Sequence, residues 1–385
     1  MVDVQVEGRI RAALAGVIDP EIRKPITELD MVGSITVDSA GHAVVQIKLT
    51  IVGCPAARAI EREVTAAVLA TPGVASAEIV VGVMTPSERT ALTEKLRGDK
   101  AARTMPFGPG SLTRVFSITS GKGGVGKSTL TANLAVALAE QGRTVGVIDA
   151  DVYGFSIPGI LGLVHEGVAA VPTRVDDMIL PPVAHGVKVI SIGMFLDPAK
   201  GASGSAVAWR GPMLHRTLNQ FLTDVYFGDL DVLLLDLPPG TGDMAISVGQ
   251  LLPNAEVIVI TTPQPAAADV AERSGTVARQ TGQHLFGVVE NMAGLRQPDG
   301  SVLELFGSGG GAEVAARLSA GQDAPVPLLA SVPFSVALRV GGDAGSPIVL
   351  EAPHDPASIA IRSVAEHIAR GGRGLAGRPL GISPA

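Results

Sequence analysis

The sequence predicts a protein of the α/β class, in which a doubly wound domain with a mostly parallel sheet follows a small α+β domain. The chain has 385 residues, enough for two or three domains with sizeable cores. From residue 113 onward, apolar runs of strand length alternate with helical stretches, and several runs lack the polar alternation of half-exposed strands. A stretch rich in charge, proline and glycine at 96–112 separates this region from residues 1–95 and is predicted to be a linker.

The first domain, residues 1–95, is predicted to have the order helix, strand, strand, helix, strand. Apolar spacing and turn residues place these elements at 6–18, 33–37, 43–51, 56–69 and 75–83. Pro55 suits the start of the second helix, because a proline there removes an N–H group that lacks a helical partner anyway.

The second domain, residues 113–370, is predicted to contain seven buried strands in a parallel sheet. They lie at 115–119, 144–149, 187–192, 232–236, 257–261, 286–290 and 328–332. Residues 371–385 are rich in glycine and proline and are predicted to form a flexible tail.

Composition excludes several function classes. The net charge is −7 and aromatic residues make up 3% of the chain, so neither a basic field nor base-stacking side chains are available to attract nucleic acid. The same acidity disfavours an anionic membrane surface, and no apolar stretch reaches the length of a spanning helix. The single cysteine, Cys54, cannot form an intramolecular disulfide, and no signal peptide is recognisable, so we expect a cytoplasmic protein.

Residues 121–128 satisfy the phosphate-loop pattern G-x-x-x-x-G-K-[ST], directly after a predicted strand and before a helical run at 129–140. Its glycines allow backbone N–H groups to surround phosphates, Lys127 reaches the terminal phosphates, and the Ser128 hydroxyl suits Mg²⁺. The alternative is a tight strand-to-helix turn without a ligand. The predicted ATP-binding residues here are Gly121, Lys122, Gly123, Gly124, Val125, Gly126, Lys127, Ser128 and Thr129.

Aspartates follow two of the apolar strands, where an open α/β sheet presents its functional groups. Asp151 is the candidate for orienting the attacking water, and Asp149 for supporting Mg²⁺ or the loop. Asp236 ends an apolar run and is expected to reach Mg²⁺ through water. Gly240 and Asp243, which follow a proline pair, are predicted to belong to a nucleotide-sensing switch. Such aspartates can also be simple helix caps.

Lys122, one residue after the first glycine, makes the loop resemble the deviant Walker A loop of the MinD, ParA and ArsA ATPases. The resemblance implies that Lys122 reaches the nucleotide of a partner subunit in a homodimer and takes part in catalysis with Lys127. It also implies that Asn291 and Pro333, at the ends of two later strands, hold the adenine. The alternatives are a solvated lysine and a turn asparagine.

Four ordered motifs narrow the resemblance to the Mrp/ApbC family of iron–sulfur cluster carrier ATPases. They are Asp149-Ala-Asp-Val-Tyr-Gly-Phe-Ser-Ile-Pro158, Trp209-Arg-Gly-Pro-Met213, Asp236-Leu-Pro-Pro-Gly-Thr-Gly-Asp243 and Phe306-Gly-Ser-Gly-Gly-Gly311. The first domain resembles the MIP18-like domain of iron–sulfur assembly factors, through Val17-Ile-Asp-Pro-Glu21, Asp30-Met-Val-Gly33 and Leu49-Thr-Ile-Val-Gly-Cys-Pro55. The resemblance implies slow Mg²⁺-dependent ATP hydrolysis, binding of an iron–sulfur cluster and its transfer to apoprotein clients. A positioning or regulatory ATPase without a cluster is the alternative.

The chain departs from that family at the cluster ligands. The family's Cys-x-x-Cys pair is expected between the Asn-Met strand end and the Phe-Gly loop, where this chain has Met292-Ala-Gly-Leu-Arg-Gln-Pro-Asp-Gly300. Cys54 is the one thiol left as a possible ligand, and backbone N–H groups at its helix start are expected to favour the thiolate. The alternative is a small buried apolar residue. The seven histidines show no spacing typical of metal ligands.

Overall fold

A computed structural model describes residues 4–98, 105–108, 110–152, 154–195, 211–297 and 299–371. Parts of the predicted linker and of two motifs (Tyr153, and Trp209 with Arg210) lie outside the described residues, as does the predicted tail beyond Gly371. Residues 4–98 form α1 (Val4–Leu14), β1 (Val32–Val37), β2 (His42–Leu49), α2 (Ala57–Leu69), β3 (Ser76–Val83) and α3 (Pro86–Arg97).

Two groups of elements follow residue 105. The first contains β4 (Arg114–Ser120), α4 (Lys127–Glu140), β5 (Val145–Asp149), α5 (Ile157–Ile160), β6 (Val164–His165), β7 (Val168–Ala169), β8 (Thr173–Val175), β9 (Met178–Leu180), β10 (Val183–Ala184), β11 (Val187–Ser191) and a 3₁₀ helix (Ile192–Phe195). The second contains α6 (Gly211–Asp224), β12 (Val232–Asp236), α7 (Asp243–Leu251), β13 (Glu256–Thr261), α8 (Pro265–Gln280), β14 (His284–Asn291), β15 (Leu295–Arg296), β16 (Val302–Leu303), α9 (Gly310–Ser319), β17 (Leu328–Val332), α10 (Val336–Ala344), α11 (Ile348–Glu351) and α12 (Pro356–Arg370).

The described chain divides into two compact units. The first contains the described residues up to 98 together with Pro172–Val183 and Asp224–Gly228, and the second contains the remainder. In the first unit, β2 pairs antiparallel with β1 and parallel with β3. The buried residues of β2 alternate with half-buried ones, as expected when one face of a sheet covers a core.

Helix α3 is an element that the sequence analysis missed. Thr85 and Glu88 form a capping box, in which each side chain bonds the backbone of the other, and Pro86 lies in the first turn. The spacing Thr-x-x-Glu was therefore an available signal, although the helix buries only Leu92 and Thr93.

The second unit contains an eight-stranded sheet in the order β10-β11-β5-β12-β4-β13-β14-β17. The pairs from β11 to β17 are parallel, which confirms the predicted doubly wound, mostly parallel sheet. Side chains alternate across it: Ile258 and Ile260 line an apolar interior space with α4 and α12, whereas Val257 and Val259 pack against α8 and α9. No helix in the described ranges is long and apolar enough to cross a membrane.

We expect Leu234→Ala to lower the free energy of unfolding by about 2–5 kcal/mol, because Leu234 is completely buried in the central strand β12. Leu303→Ala, in the exposed part of β16, is the matched control and should change it by less than about 0.5 kcal/mol. Urea unfolding followed by circular dichroism measures both. Equal effects of the two substitutions would contradict the assignment of β12 to the core.

Candidate functional site

The candidate nucleotide site lies at the carboxyl ends of three neighbouring strands, β4, β5 and β12. Asp236 pairs in register with Asp149 on one side and with Ile118 on the other. The phosphate loop, 121–128, leaves the same sheet edge directly after β4. The sheet therefore brings together three parts of the chain that the sequence analysis had singled out separately.

The phosphate loop requires glycine at particular positions. Gly124 and Gly126 have φ angles of +79° and +78°, a region that side chains disfavour. A Cβ atom at Gly121 would lie 2.3 Å from the carbonyl carbon of Val270, and one at Gly126 would lie 2.3 Å from Nδ2 of Asn291. The loop is therefore shaped by both its backbone angles and its close neighbours.

The carboxylate of Asp236 holds three side chains of the loop and of helix α4. Its Oδ1 lies 2.9 Å from Nζ of Lys127 and accepts a 2.9 Å hydrogen bond from the hydroxyl of Thr131, while Oδ2 accepts a 2.5 Å bond from Ser128. The side chain of Lys127 is 6% exposed and that of Asp236 is fully buried. Thr131 was not predicted from the sequence, although it lies one helical turn after Lys127 and therefore shares its face of α4.

The carboxylate of Asp149 is hydrogen-bonded to nearby residues of the same chain and does not face solvent. It is buried and accepts a 3.0 Å hydrogen bond from the Ser191 hydroxyl and bonds from the backbone N–H groups of Asp151 and Ile157 at 3.2 and 3.3 Å. Burial and the charge of Asp236 raise the pKa of Asp149. Asp149 was predicted to support either Mg²⁺ or the loop, and its hydrogen bonds to Asp151 and Ile157 are direct contacts of the second kind. Asp151 is itself buried, two residues beyond the end of β5.

Asn291 braces the phosphate loop, since its Nδ2 donates a 2.8 Å hydrogen bond to the carbonyl oxygen of Val125. The preceding Glu290 accepts bonds from the Gly311 N–H and the Ser331 hydroxyl, both at 2.8 Å. The predicted contacts of Asn291 and Pro333 with adenine stay predictions; Pro333 follows β17 and is half-buried.

Three further predicted positions are Lys122, within the phosphate loop, and Gly240 and Asp243, in the segment that follows β12. Lys122 donates a 2.7 Å hydrogen bond to Oε1 of Gln264, at the start of α8, so its reach to a partner subunit stays a prediction. Gly240 has a φ of +94° and its N–H donates to the carbonyl of Ser120 at 2.8 Å, while Asp243 begins α7. The predicted switch segment therefore contacts the end of β4.

Cys54 lies in the first unit and is 6% exposed. Its Sγ lies 3.9 Å from Oε2 of Glu21, whose Oε1 accepts a 2.8 Å hydrogen bond from Thr173. Burial and the charge of Glu21 raise the pKa of Cys54 to about 11, and they outweigh the backbone N–H groups of Ala56 and Ala57. The expectation that the helix start favours the thiolate is therefore wrong in this conformation. Burial, again the largest cause, also raises the pKa of Glu21.

The region where the Cys-x-x-Cys pair is expected forms the short antiparallel hairpin β15–β16. Among the described residues, no group of three or more histidine, cysteine or acidic side chains is arranged to hold a metal ion. The described part of the chain therefore contains no complete cluster site within one subunit.

A phosphate loop on a parallel sheet, with its lysine and serine held by a strand-end aspartate, defines a P-loop nucleotide-binding protein. Residues 111–369 match the family model described as NUBPL iron-transfer P-loop NTPase, and residues 7–81 match the model described as iron–sulfur cluster assembly protein. The chain belongs to the NUBPL-type family of iron-transfer P-loop NTPases.

Three known proteins illustrate the similarity. The iron–sulfur cluster carrier protein of Mycobacterium bovis is 53% identical over 383 residues, which cover 99% of this chain and 98% of that protein. The protein of the same name from Synechocystis is 36% identical, with 94% and 96% covered. The structure of a nucleotide-binding protein from Archaeoglobus fulgidus, in complex with ADP and with cobalt, is 35% identical with a TM-score of 0.50, and covers 60% of this chain and 86% of that chain.

We expect Gly126→Ala to abolish nucleotide binding, because its Cβ would displace Asn291 and strain the loop. Gly142→Ala is the matched control, since Gly142 also has a φ of +78° but no atom within 4 Å of the added Cβ. Both substitutions should cost about 1–2 kcal/mol of folding free energy for the left-handed backbone. Titration with a fluorescent ADP analogue checks binding, and a Gly126→Ala protein that binds as the control does would refute the requirement.

We expect iodoacetamide to alkylate Cys54 slowly at pH 8 and faster as the pH rises toward about 11, because only the thiolate reacts. Glu21→Gln removes a negative charge beside the thiol, so the pKa should fall and alkylation at pH 8 should accelerate. Glu61→Gln, at an exposed position of α2, is the control. Rate–pH profiles that coincide for the wild type and Glu21→Gln would contradict this cause.

Proposed function

We propose that this protein binds and hydrolyses ATP with Mg²⁺ and carries iron–sulfur clusters to apoprotein clients. The observation that supports the proposal most strongly is the 53% identity with an iron–sulfur cluster carrier protein over 99% of the chain. That similarity covers 99% of the chain, and so spans both the region of the phosphate loop and the region of Cys54.

The donor set at the carboxyl ends of β4 and β12 fits a magnesium nucleotide. The Ser128 hydroxyl and the Asp236 carboxylate, which are hydrogen-bonded to each other, are hard oxygen groups of the kind that Mg²⁺ prefers. Ser128 would bind the ion directly and Asp236 would reach it through water. When bound, Mg²⁺ would neutralise charge on the phosphate oxygens. The N–H groups of 121–128 bind the phosphates, and Lys127 exchanges its contact with Asp236 for the terminal phosphates.

The remaining site residues have proposed functions around that centre. Asp151 orients the attacking water, and Asp149 holds the loop that follows β5. Asn291 and Pro333 contact the adenine, and Gly240 and Asp243 respond to the terminal phosphate. Lys122 leaves Gln264 to reach the nucleotide of a second subunit, so the active form is a homodimer.

The iron–sulfur cluster is the group that the protein would carry to its clients, and Cys54 is the candidate protein ligand for that cluster. A homodimer offers two such thiols, so client or small-molecule thiols would complete a four-sulfur set. A protonated thiol must lose its proton to bind iron, and the raised pKa of Cys54 makes that step dependent on pH. The single cysteine is compatible with the reducing cytoplasm, where we place the protein.

We expect Lys127→Ala to reduce ATP hydrolysis by about two orders of magnitude, since the transferred phosphoryl group loses the positive charge of Lys127. The substitution also leaves Asp236 buried without a cation, at a cost of about 3–5 kcal/mol of folding free energy. Lys127→Ala with Asp236→Asn should recover stability but not hydrolysis. Phosphate release and thermal melting measure the two effects, and equal hydrolysis by Lys127→Ala and the wild type would remove the proposed enzyme activity.

We expect anaerobic reconstitution with iron, sulfide and a small thiol to give the wild type a visible cluster absorption band, and Cys54→Ser to lack it. Val52→Ser is the matched control, because Val52 lies two residues away in the same loop, is 84% exposed and leaves the thiol in place. The control should retain the band. A colourless wild type would remove the carrier function and leave the ATPase.

A positioning or regulatory ATPase without a cluster is the second candidate. It is favoured by the absence of the Cys-x-x-Cys pair and by the burial of Cys54. ATP-dependent pelleting with lipid vesicles or DNA, together with a colourless reconstituted protein, would support it over the carrier.

A further inference from the structure

A hairpin from the middle of the chain belongs to the first compact unit. Strands β8 and β9 pair antiparallel around Asp176 and Asp177, inside the region matched by the P-loop NTPase model. They nevertheless group with residues 4–98, as do residues 224–228. Val225 forms a parallel bridge with Ile179, and the Tyr226 N–H donates to the carbonyl of Ile179 at 2.8 Å, so the two later segments bind each other.

The hairpin contributes apolar side chains to the core of the first unit. Val175, Met178 and Leu180 are at most 1% exposed and cluster with buried residues of α1, β2 and α2, while Tyr226 packs at the margin of the cluster. Side chains that are completely buried against a neighbour contribute most of the free energy of such a contact. Removing the hairpin would expose this part of the core.

Ion pairs surround the apolar contact. On α3, Arg89 lies 3.6 Å from Asp176, and Arg97 lies 2.9 Å from Asp177. Thr90 also donates a 3.1 Å hydrogen bond to Asp176. The arginines of α3 and the aspartates of the hairpin turn therefore have complementary charge.

One contact reaches the surroundings of Cys54. Thr173, the first residue of β8, donates a hydrogen bond to the buried Glu21, which lies beside the thiol. The iron–sulfur assembly model matches only residues 7–81, so a residue far outside it completes the environment of the cysteine.

We propose that residues 172–183 and 224–228 form a docking surface whose partner is the 4–98 segment of the same chain. The covalent connection through residues 99–104 is then unnecessary for their association. The apolar contact supplies the affinity, the two ion pairs set the orientation, and Thr173 donates a hydrogen bond to Glu21 beside Cys54. This inference concerns the organisation of the chain and does not depend on the proposed function.

The test uses the full chain with a protease recognition sequence inserted after Gly98. After cleavage under native conditions, the two wild-type fragments should co-elute on size-exclusion chromatography, and the rate of thiol labelling at Cys54 should match that of uncut protein. Wild-type fragments that separate after cleavage, whether the smaller one stays folded or precipitates, would overturn the proposal.

Charge reversal tests where the fragments bind. Arg89→Glu with Arg97→Glu should raise the dissociation constant of the cut protein by about tenfold or more, since two attractive pairs become repulsive, and should accelerate labelling of Cys54. Adding Asp176→Arg and Asp177→Arg should restore the wild-type value to within about threefold. Arg174→Glu, at an exposed position of the same hairpin, is the control and should have little effect. Equal affinities of wild type and the Arg89/Arg97 variant would overturn the assignment of this surface.

Discussion

The buried carboxylate of Asp236 is the group on which the arrangement of the nucleotide site depends. A charge without exposure to water is stable only when it is paired and hydrogen-bonded, and Lys127, Ser128 and Thr131 provide this compensation. Because these three residues lie in the phosphate loop and the first two turns of α4, one carboxylate fixes the loop and the helix against β12. The ion pair also holds the Lys127 cation beside the loop before any phosphate is bound.

A second pair of contacts couples the loop to the far side of the sheet. Asn291 holds the carbonyl of Val125 in the phosphate loop, and the adjacent Glu290 holds the first turn of α9 and the end of β17. A displacement of the phosphate loop would therefore disturb the hydrogen bond of Asn291 at the end of β14, shortly before the hairpin β15–β16. That hairpin occupies the position at which cluster ligands were expected.

Sequence alone predicted the features that depend on local chemistry. The glycine pattern of 121–126 identified the phosphate loop because positive φ angles and close backbone contacts exclude other residues there. The seven predicted strands correspond to β4, β5, β11, β12, β13, β14 and β17, and they were located because they are short, mainly apolar runs, although β17, at the edge of the sheet, is partly exposed. Features that depend on distant residues were missed: Thr131 as a partner of Asp236, the hairpin β8–β9 as part of the first unit, and the raised pKa of Cys54, which burial and Glu21 produce.

Calorimetric titration of ADP with and without Mg²⁺ shows whether Asp236 arranges Ser128 and Lys127 for a magnesium nucleotide. The wild type should bind ADP more tightly when Mg²⁺ is present. Asp236→Asn should lose that difference, whereas Asp231→Asn, which neutralises a carboxylate at the opposite end of β12, should retain it. An Asp236→Asn protein with the full Mg²⁺ dependence of the wild type would show that Asp236 does not have this function.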